Sequence, residues 1–146
     1  MSSMITRQAV ASDLIVAQSW LSDAGLPVED LTADHMQNFL LALADESSVG
    51  MIGIEKFGDV GLLRSLVVDP SARSGGIGAR LVAALESMAA ERGIAELWLL
   101  TIDADAYFSR LGYSVTDRSQ APDVIRRTNE FSSLCPGDAT LMHKSL

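Results

Sequence analysis

The sequence predicts an α/β fold, with one mixed, mostly antiparallel sheet flanked by helices in a single domain spanning residues 1–146. Three observations carry this. The chain has 146 residues and 15.6 kDa, which leaves little room for a second domain. Hydrophobic residues make up 48% and charged ones 21%, enough apolar material for a core, so disordered and collagen-like readings fall away. Strand-like stretches dominate the first half, and helical and strand patterns then alternate.

The elements follow in order. Met4 to Arg7 reads as a short strand. Ser12 is a good N-cap, and Leu14, Ala17, Leu21 and Ala24 then recur at helical spacing until Gly25 and Pro27 stop the pattern. Leu31 to Met36 adds a helical turn. Three apolar stretches, Phe39–Ala44, Val49–Phe57 and Val60–Val68, read as an antiparallel meander whose second junction, Gly58-Asp59, is a tight hairpin. Ile77, Leu81, Leu85 and Met88 mark one face of a helix that Gly93 ends. Glu96–Leu100 is the next strand. Asp103 or Asp105 caps a short helix with Ala104, Phe108 and Leu111 on one side, ended by Gly112. Tyr113–Thr116 and Ala139–His143 are the last strands, with a turn of helix between them in Pro122–Phe131.

Composition excludes several functions. Nineteen acids against eleven bases give a net charge of -8 and a pI near 4.5. A field of that sign repels phosphate backbones, so no nucleic-acid partner is expected. One cysteine forms no internal disulfide, and two histidines beside it make no convincing zinc site, so no metal is expected. The start, MSSMITR, lacks the apolar stretch of a secretory signal, and no apolar run approaches the ~18–20 residues of a membrane span. A cytoplasmic protein with no membrane partner is the expectation.

Chemistry concentrates in Leu62 to Leu85, LLRSLVVDPSARSGGIGARLVAAL. An apolar strand runs into a turn with Gly75, Gly76 and Gly78 and then opens an amphipathic helix. Glycines let a ligand approach the backbone, and the helix start presents N–H groups and a favourable dipole to an anion. A Walker A loop needs Gly-Lys-Ser/Thr, and no lysine is present here. A dinucleotide fingerprint needs a third glycine, which is missing after Gly76-Ile77-Gly78. R-x-x-G-x-G is met by Arg73-Ser74-Gly75-Gly76-Ile77-Gly78.

That motif, behind V-V-D-P and ahead of the helix, resembles the pyrophosphate loop of the GNAT superfamily of N-acetyltransferases. The order of elements matches that fold, and DAYFSRLGY resembles its second signature, an aromatic helix turn ending in Leu-Gly-Phe/Tyr. More narrowly, LLRSLVV, AYFSRLGY and the tail TNEFSSLCPGDATLMHK resemble small bacterial amino-acid N-acetyltransferases of the arsenic-resistance type. They are also similar to the acetyltransferase part of N-acetylglutamate synthases.

The resemblance implies that acetyl-CoA is the cosubstrate and lies in a V between the strand before the loop and the next parallel strand. Leu66, Val67 and Val68 then offer backbone groups to the cofactor, and an N–H at Leu66 or Val67 polarises the thioester carbonyl. Arg73, Ser74, Gly75, Gly76, Ile77, Gly78 and Ala79 hold the pyrophosphate. Phe108 stands beside the cofactor, where many of these enzymes place a tyrosine acid, and has no proton to give. Tyr107 next to it is a candidate acid but projects about 100° away on a helix of ~3.6 residues per turn. Its ordinary reading is packing, and the mechanism then rests on proximity and oxyanion polarisation.

The acceptor side is expected around Arg64, which sits in an otherwise apolar strand and wants a carboxylate from the protein or a substrate. Arg126, Arg127, Thr128 and Glu130 form a second polar cluster. Arg64 and Arg126 together can clamp the α-carboxylate of an amino acid, with Thr128 nearby. Cys135 is either a buried small residue or part of the acceptor lining. His35 and His143 stand at no telling spacing. The acceptor is then the amino group of a small amino acid or analogue, a glutamate-like arsenical among them. A polyamine or protein N-terminus as acceptor, and a non-catalytic CoA-binding regulatory module, stay open beside it, as does a homodimer.

Overall fold

The computed structural model describes residues 4–23, 32–44, 47–69, 76–102, 104–128 and 139–146. Its elements are β1 (Met4–Gln8), α1 (Leu14–Asp23), β2 (Phe39–Ala44), β3 (Ser47–Phe57), β4 (Val60–Val68), α2 (Ile77–Glu91), β5 (Glu96–Thr101), α3 (Asp105–Arg110), β6 (Ser114–Thr116), α4 (Asp123–Arg126) and β7 (Thr140–Ser145). Short 3-10 turns stand at Ala11–Asp13, Ala33–Asn38 and Arg118–Gln120. One seven-stranded sheet runs β1-β2-β3-β4-β5-β7-β6. Of its strand pairs, only β4 with β5 is parallel. A parallel pair needs a crossover, and α2 supplies it.

Alternation along the strands sends side chains to two different layers. On one face, Leu81, Val82, Leu85 and Ala89 of α2 pack with Phe108 of α3 on Leu40, Ala42, Ile52, Ile54 and Leu97. The other face carries two separate clusters. Ala17 and Leu21 of α1 cover Phe39, Leu41 and Met51, whereas Ala121 and Ile125 cover Leu62, Trp98 and Leu141. Gly53, Glu55 and Arg64 belong to this second face, in the stretch between the two clusters.

The predicted meander and its hairpin are present. Phe57 pairs with Val60, and Gly58 takes φ +69°, the left-handed region that a two-residue hairpin turn requires. Capping differs from expectation in two places. Ser12 lies inside the 3-10 turn, and the Asp13 carboxylate instead accepts the Val10 N–H at 2.8 Å while pairing with Arg7 at 3.0 Å. The turn begins at Ala11, which leaves the Ser12 hydroxyl inside it, and Asp13, its third residue, reaches back to the N–H of the capping residue. At α3, Asp105 is the first helical residue rather than the cap. The Ala104 N–H, just before the helix, is taken by the Thr101 hydroxyl at 3.0 Å. Asp103 lies outside the described residues.

Candidate active site

The site begins where β4 and β5 stop pairing. Their register runs Val60–Glu96, Gly61–Leu97, Leu62–Trp98 and ends there. Beyond it a cleft of about 200 Å³ opens, bordered by Arg64, Ser65 and Leu66 on one side, Leu100 and Thr101 on the other, and Tyr107 and Phe108 of α3.

A bulge shapes the β4 wall. Met51 pairs with Val67 and Gly53 with Arg64, so Ser65 and Leu66 together oppose Ile52. Ser65 sits at φ +64°, a left-handed conformation rare for a residue with a side chain. The extra residue resets the alternation. Leu63 and, past the bulge, Leu66 and Val68 all pack toward α2, while Val67 turns to the α1 side. Backbone direction follows the same period. The Asp69 N–H donates to the Val49 carbonyl on β3 at 2.8 Å. Two residues earlier, the Val67 N–H follows the same period toward β3, and Leu66 borders the cleft. Of the two oxyanion candidates, the structure therefore brings Leu66 to the cleft and turns Val67 away. The bulge has no mark in the apolar run LLRSLVV beyond its Arg-Ser pair.

The far end of the cleft is the start of α2. Gly76, at φ +73°, ψ 16°, is its N-cap, and its carbonyl accepts the Arg80 N–H at 3.1 Å. A Cβ on Gly76 would meet nothing within 4 Å among the described residues. The first-turn amides of Ile77, Gly78 and Ala79 lead out of the helix with the positive dipole end. Arg73, Ser74 and Gly75 lie outside the described residues. A Cβ on Gly78 would collide with the Tyr107 hydroxyl, so Tyr107 reaches across to α2. The expected 100° separation does not take it out of the cleft. The α3 helix lies along the opening, so Phe108 faces the core at 6% exposure while Tyr107 faces α2. The two rings meet edge-to-face at 5.4 Å. Burial pushes the Tyr107 hydroxyl above its ordinary pKa, so it stays protonated and donates hydrogen bonds at neutral pH.

On the opposite sheet face, Arg64 is 5% exposed. Its Nη1 lies 3.7 Å from Glu55 Oε2, and its Nε donates to Ser65 Oγ at 2.9 Å. Glu55 borders a second pocket of about 310 Å³ with Phe57, Val124, Arg127 and Thr128. Arg126 does not join Arg64. Its Nε and Nη2 donate to the carbonyls of Ala121 at 3.2 Å and Ser119 at 3.4 Å, tying α4 to the preceding turn. Successive helical positions diverge, and it is Arg127 that reaches the pocket. Thr128 is buried and donates to the Ile125 carbonyl at 2.7 Å. Glu130 and Cys135 lie outside the described residues. Glu55 was missed because a glutamate near a strand end reads as an ordinary surface residue. Its position across from Leu62 and beside Arg64 was the available signal. His143 stacks on Trp98 at 4.6 Å, with Nδ1 2.8 Å from the Thr116 hydroxyl. Among the described residues no three metal-ligating side chains come together, and no helix is long and apolar enough to cross a membrane.

Residues 9–113 match the family model described as the Acetyltransferase (GNAT) family. The chain belongs to the GNAT family. An amino-acid acetyltransferase of Neisseria meningitidis (serogroup B, strain MC58) is 27% identical over 96 residues, which are 64% of this chain; the chain spans 22% of that relative's length. An uncharacterized N-acetyltransferase of Chlorobaculum tepidum is 32% identical over 96 residues, covering 64% of this chain and 61% of that protein. N-acetylglutamate synthase from Neisseria gonorrhoeae, complexed with coenzyme A and N-acetyl-glutamate, superposes with a TM-score of 0.85 at 21% identity. That match covers 100% of this chain and 36% of the other. Rv2747 from Mycobacterium tuberculosis, in complex with CoA, gives 0.81 at 21% identity, covering 97% and 99%. The expected resemblance to amino-acid N-acetyltransferases is thus met in sequence, and the mixed seven-stranded sheet is that of the GNAT fold.

Proposed function

We propose that this GNAT protein transfers acetyl from acetyl-CoA to the amino group of a small amino acid or amino-acid analogue by direct attack on the thioester. The observation that carries the reading is the divergence of β4 from β5 beside the α2 N-terminus. It joins a strand edge suited to an amide-rich arm to a helix end suited to phosphates. The room beside Gly76 among the described residues fits an approaching pyrophosphate. Acetyl-CoA supplies an activated acetyl group on a good leaving thiol.

This chain's residues then do the following. The amides of Ile77, Gly78 and Ala79 hold phosphate oxygens, and Tyr107 donates to the cofactor where it crosses α2. The N–H of Leu66, a residue of the cleft wall, polarises the thioester carbonyl and stabilises the oxyanion that develops. The buried cation Arg64, with Arg127 at the adjoining pocket, gives the acceptor face a positive excess within a chain of net charge -8, which favours an acceptor carrying a carboxylate. A thiol of pKa ~8.5 departs as thiolate with a proton from solvent.

Calorimetric titration with acetyl-CoA tests the cofactor half of this reading. Wild type should bind, and Gly76→Asp should weaken binding about a hundredfold or more by setting a carboxylate against the phosphates. Aspartate tolerates left-handed φ better than most residues, so the fold should persist. Unchanged affinity in Gly76→Asp would remove the loop from the site. Mass spectrometry of the product from an α-amino acid then checks for an N-acetyl group.

A further inference from the structure

We infer that Glu55 is the carboxylate that receives the acceptor's ammonium group and takes the proton that the nitrogen must shed before it attacks. This rests on the acetyltransferase reading above and adds the base that reading lacks. Glu55 stands on β3 opposite Leu62, on the sheet face away from α2. Its side chain is 16% exposed, with Arg64 on one flank and the 310 Å³ pocket on the other. Arg64 also borders the β4–β5 cleft. The ion pair therefore connects the two spaces that the reaction must join, the thioester's and the acceptor's.

A buried ion pair is a poor way to stabilise a sheet, since apolar side chains of similar size often do as well or better. Its place here, between the α1 and α4 clusters and beside the pocket, suits a polar ligand. The two oxygens of a carboxylate accept hydrogen bonds, as an ammonium requires. Among the described residues, the charged groups of Arg64 of β4 and, beyond α4, Arg127 stand beside Glu55, the latter placed to meet an acceptor carboxylate. The protons balance as follows. An acceptor ammonium gives one proton to Glu55, directly or through water. The freed lone pair forms the C–N bond, the C–S bond breaks, and the nitrogen loses its second proton. One proton ends on the thiolate and the other leaves to solvent through the open pocket.

The test is Glu55→Gln, with kcat/KM for the acceptor measured from pH 6 to 10, beside calorimetry with acetyl-CoA and a thermal melt. Activity at pH 7 should fall about 10²-fold or more, with acetyl-CoA affinity unchanged. The deficit should shrink as pH rises, about tenfold per pH unit, because an amine already neutral in solution needs no base. A merely structural role would lower Tm without that slope. Glu55→Asp keeps the carboxylate and should retain a flat neutral-pH profile at a reduced rate, which guards against a Gln variant that fails to fold. Equal kcat/KM in wild type and Glu55→Gln at pH 7, a Glu55→Gln deficit that pH does not change, or a Glu55→Asp profile that climbs about tenfold per pH unit from neutral pH, overturns the assignment of Glu55. No transfer by wild type to any amine would instead overturn the acetyltransferase reading itself.

Discussion

Arg64 is the residue whose burial most needs a reason. Its guanidinium is 3% exposed in the middle of the sheet, held by Glu55 and by Ser65 Oγ. A protein carboxylate is thus part of its environment, so Arg64→Lys should both lower Tm and raise KM for the acceptor. An ammonium replaces a planar two-pronged donor with a point charge. Arg64→Met should destabilise by about 3 kcal/mol, and combining it with Glu55→Leu should recover part of that loss, since removing both charges is cheaper than orphaning one. Denaturant unfolding of the four proteins in that cycle decides it, and strictly additive losses would show the pair to be uncoupled. Tyr107 makes a second prediction. Its hydroxyl reaches the first turn of α2 at Gly78, so the proposed function gives it to cofactor binding. Tyr107→Phe should raise KM for acetyl-CoA about two- to tenfold, the worth of one neutral hydrogen bond, with kcat nearly kept. A kcat loss of about 10²–10⁴-fold would make it the general acid.

Elements were legible where one local rule decides them. The run Val60–Val68, the Gly58-Asp59 turn and the 3.6-residue recurrence from Ile77 each specify structure without outside help. What was not legible depends on partners distant in sequence. The bulge at Ser65-Leu66 is a property of how β4 meets β3, and it decides that Leu66 rather than Val67 faces the cleft. The hairpin register puts Glu55 opposite Leu62 and Arg64 opposite Gly53, and only the folded side chains show that the two charges pair across that diagonal. Asp13 closes the first turn onto the Val10 N–H and pairs with Arg7, and the turn's start at Ala11 leaves Ser12 inside it. Close packing between strands is equally silent in sequence. A Cβ on Gly53 would run into the ring of Phe39, which is fully buried under α1. Gly53→Ala should therefore cost about 1–3 kcal/mol. At about 2–4 °C of Tm per kcal/mol for a chain of this size, a melt resolves it. An unchanged Tm would mean that the α1 cluster yields easily.

At the scale of the whole molecule, the charge of -8 sets general behaviour and the sheet sets the local exceptions. The hydrogen bond from Arg7, opposed by burial, holds the Asp13 carboxyl below the usual carboxylate range. A depressed folded-state pKa stabilises above the unfolded value and loses that contribution as pH falls through the folded one. Asp13→Asn should thus flatten the acid limb of the stability curve while lowering Tm at neutral pH. On the proposed function, the two faces of one sheet are divided between two substrates. The α2 face, with its helix end and diverging strands, suits the phosphates and the amide-rich arm. The other face, between the α1 and α4 clusters, holds Arg64, Glu55 and the pocket bordered by Arg127. The measurement that tests this division most directly is thiol release from acetyl-CoA by the wild-type protein over a panel of α-amino acids, their carboxamides and polyamines. The account predicts amine-dependent release that is fastest with free α-amino acids and drops about tenfold or more when the carboxylate is amidated. No release with any amine despite tight acetyl-CoA binding, or release fastest with polyamines, would contradict it.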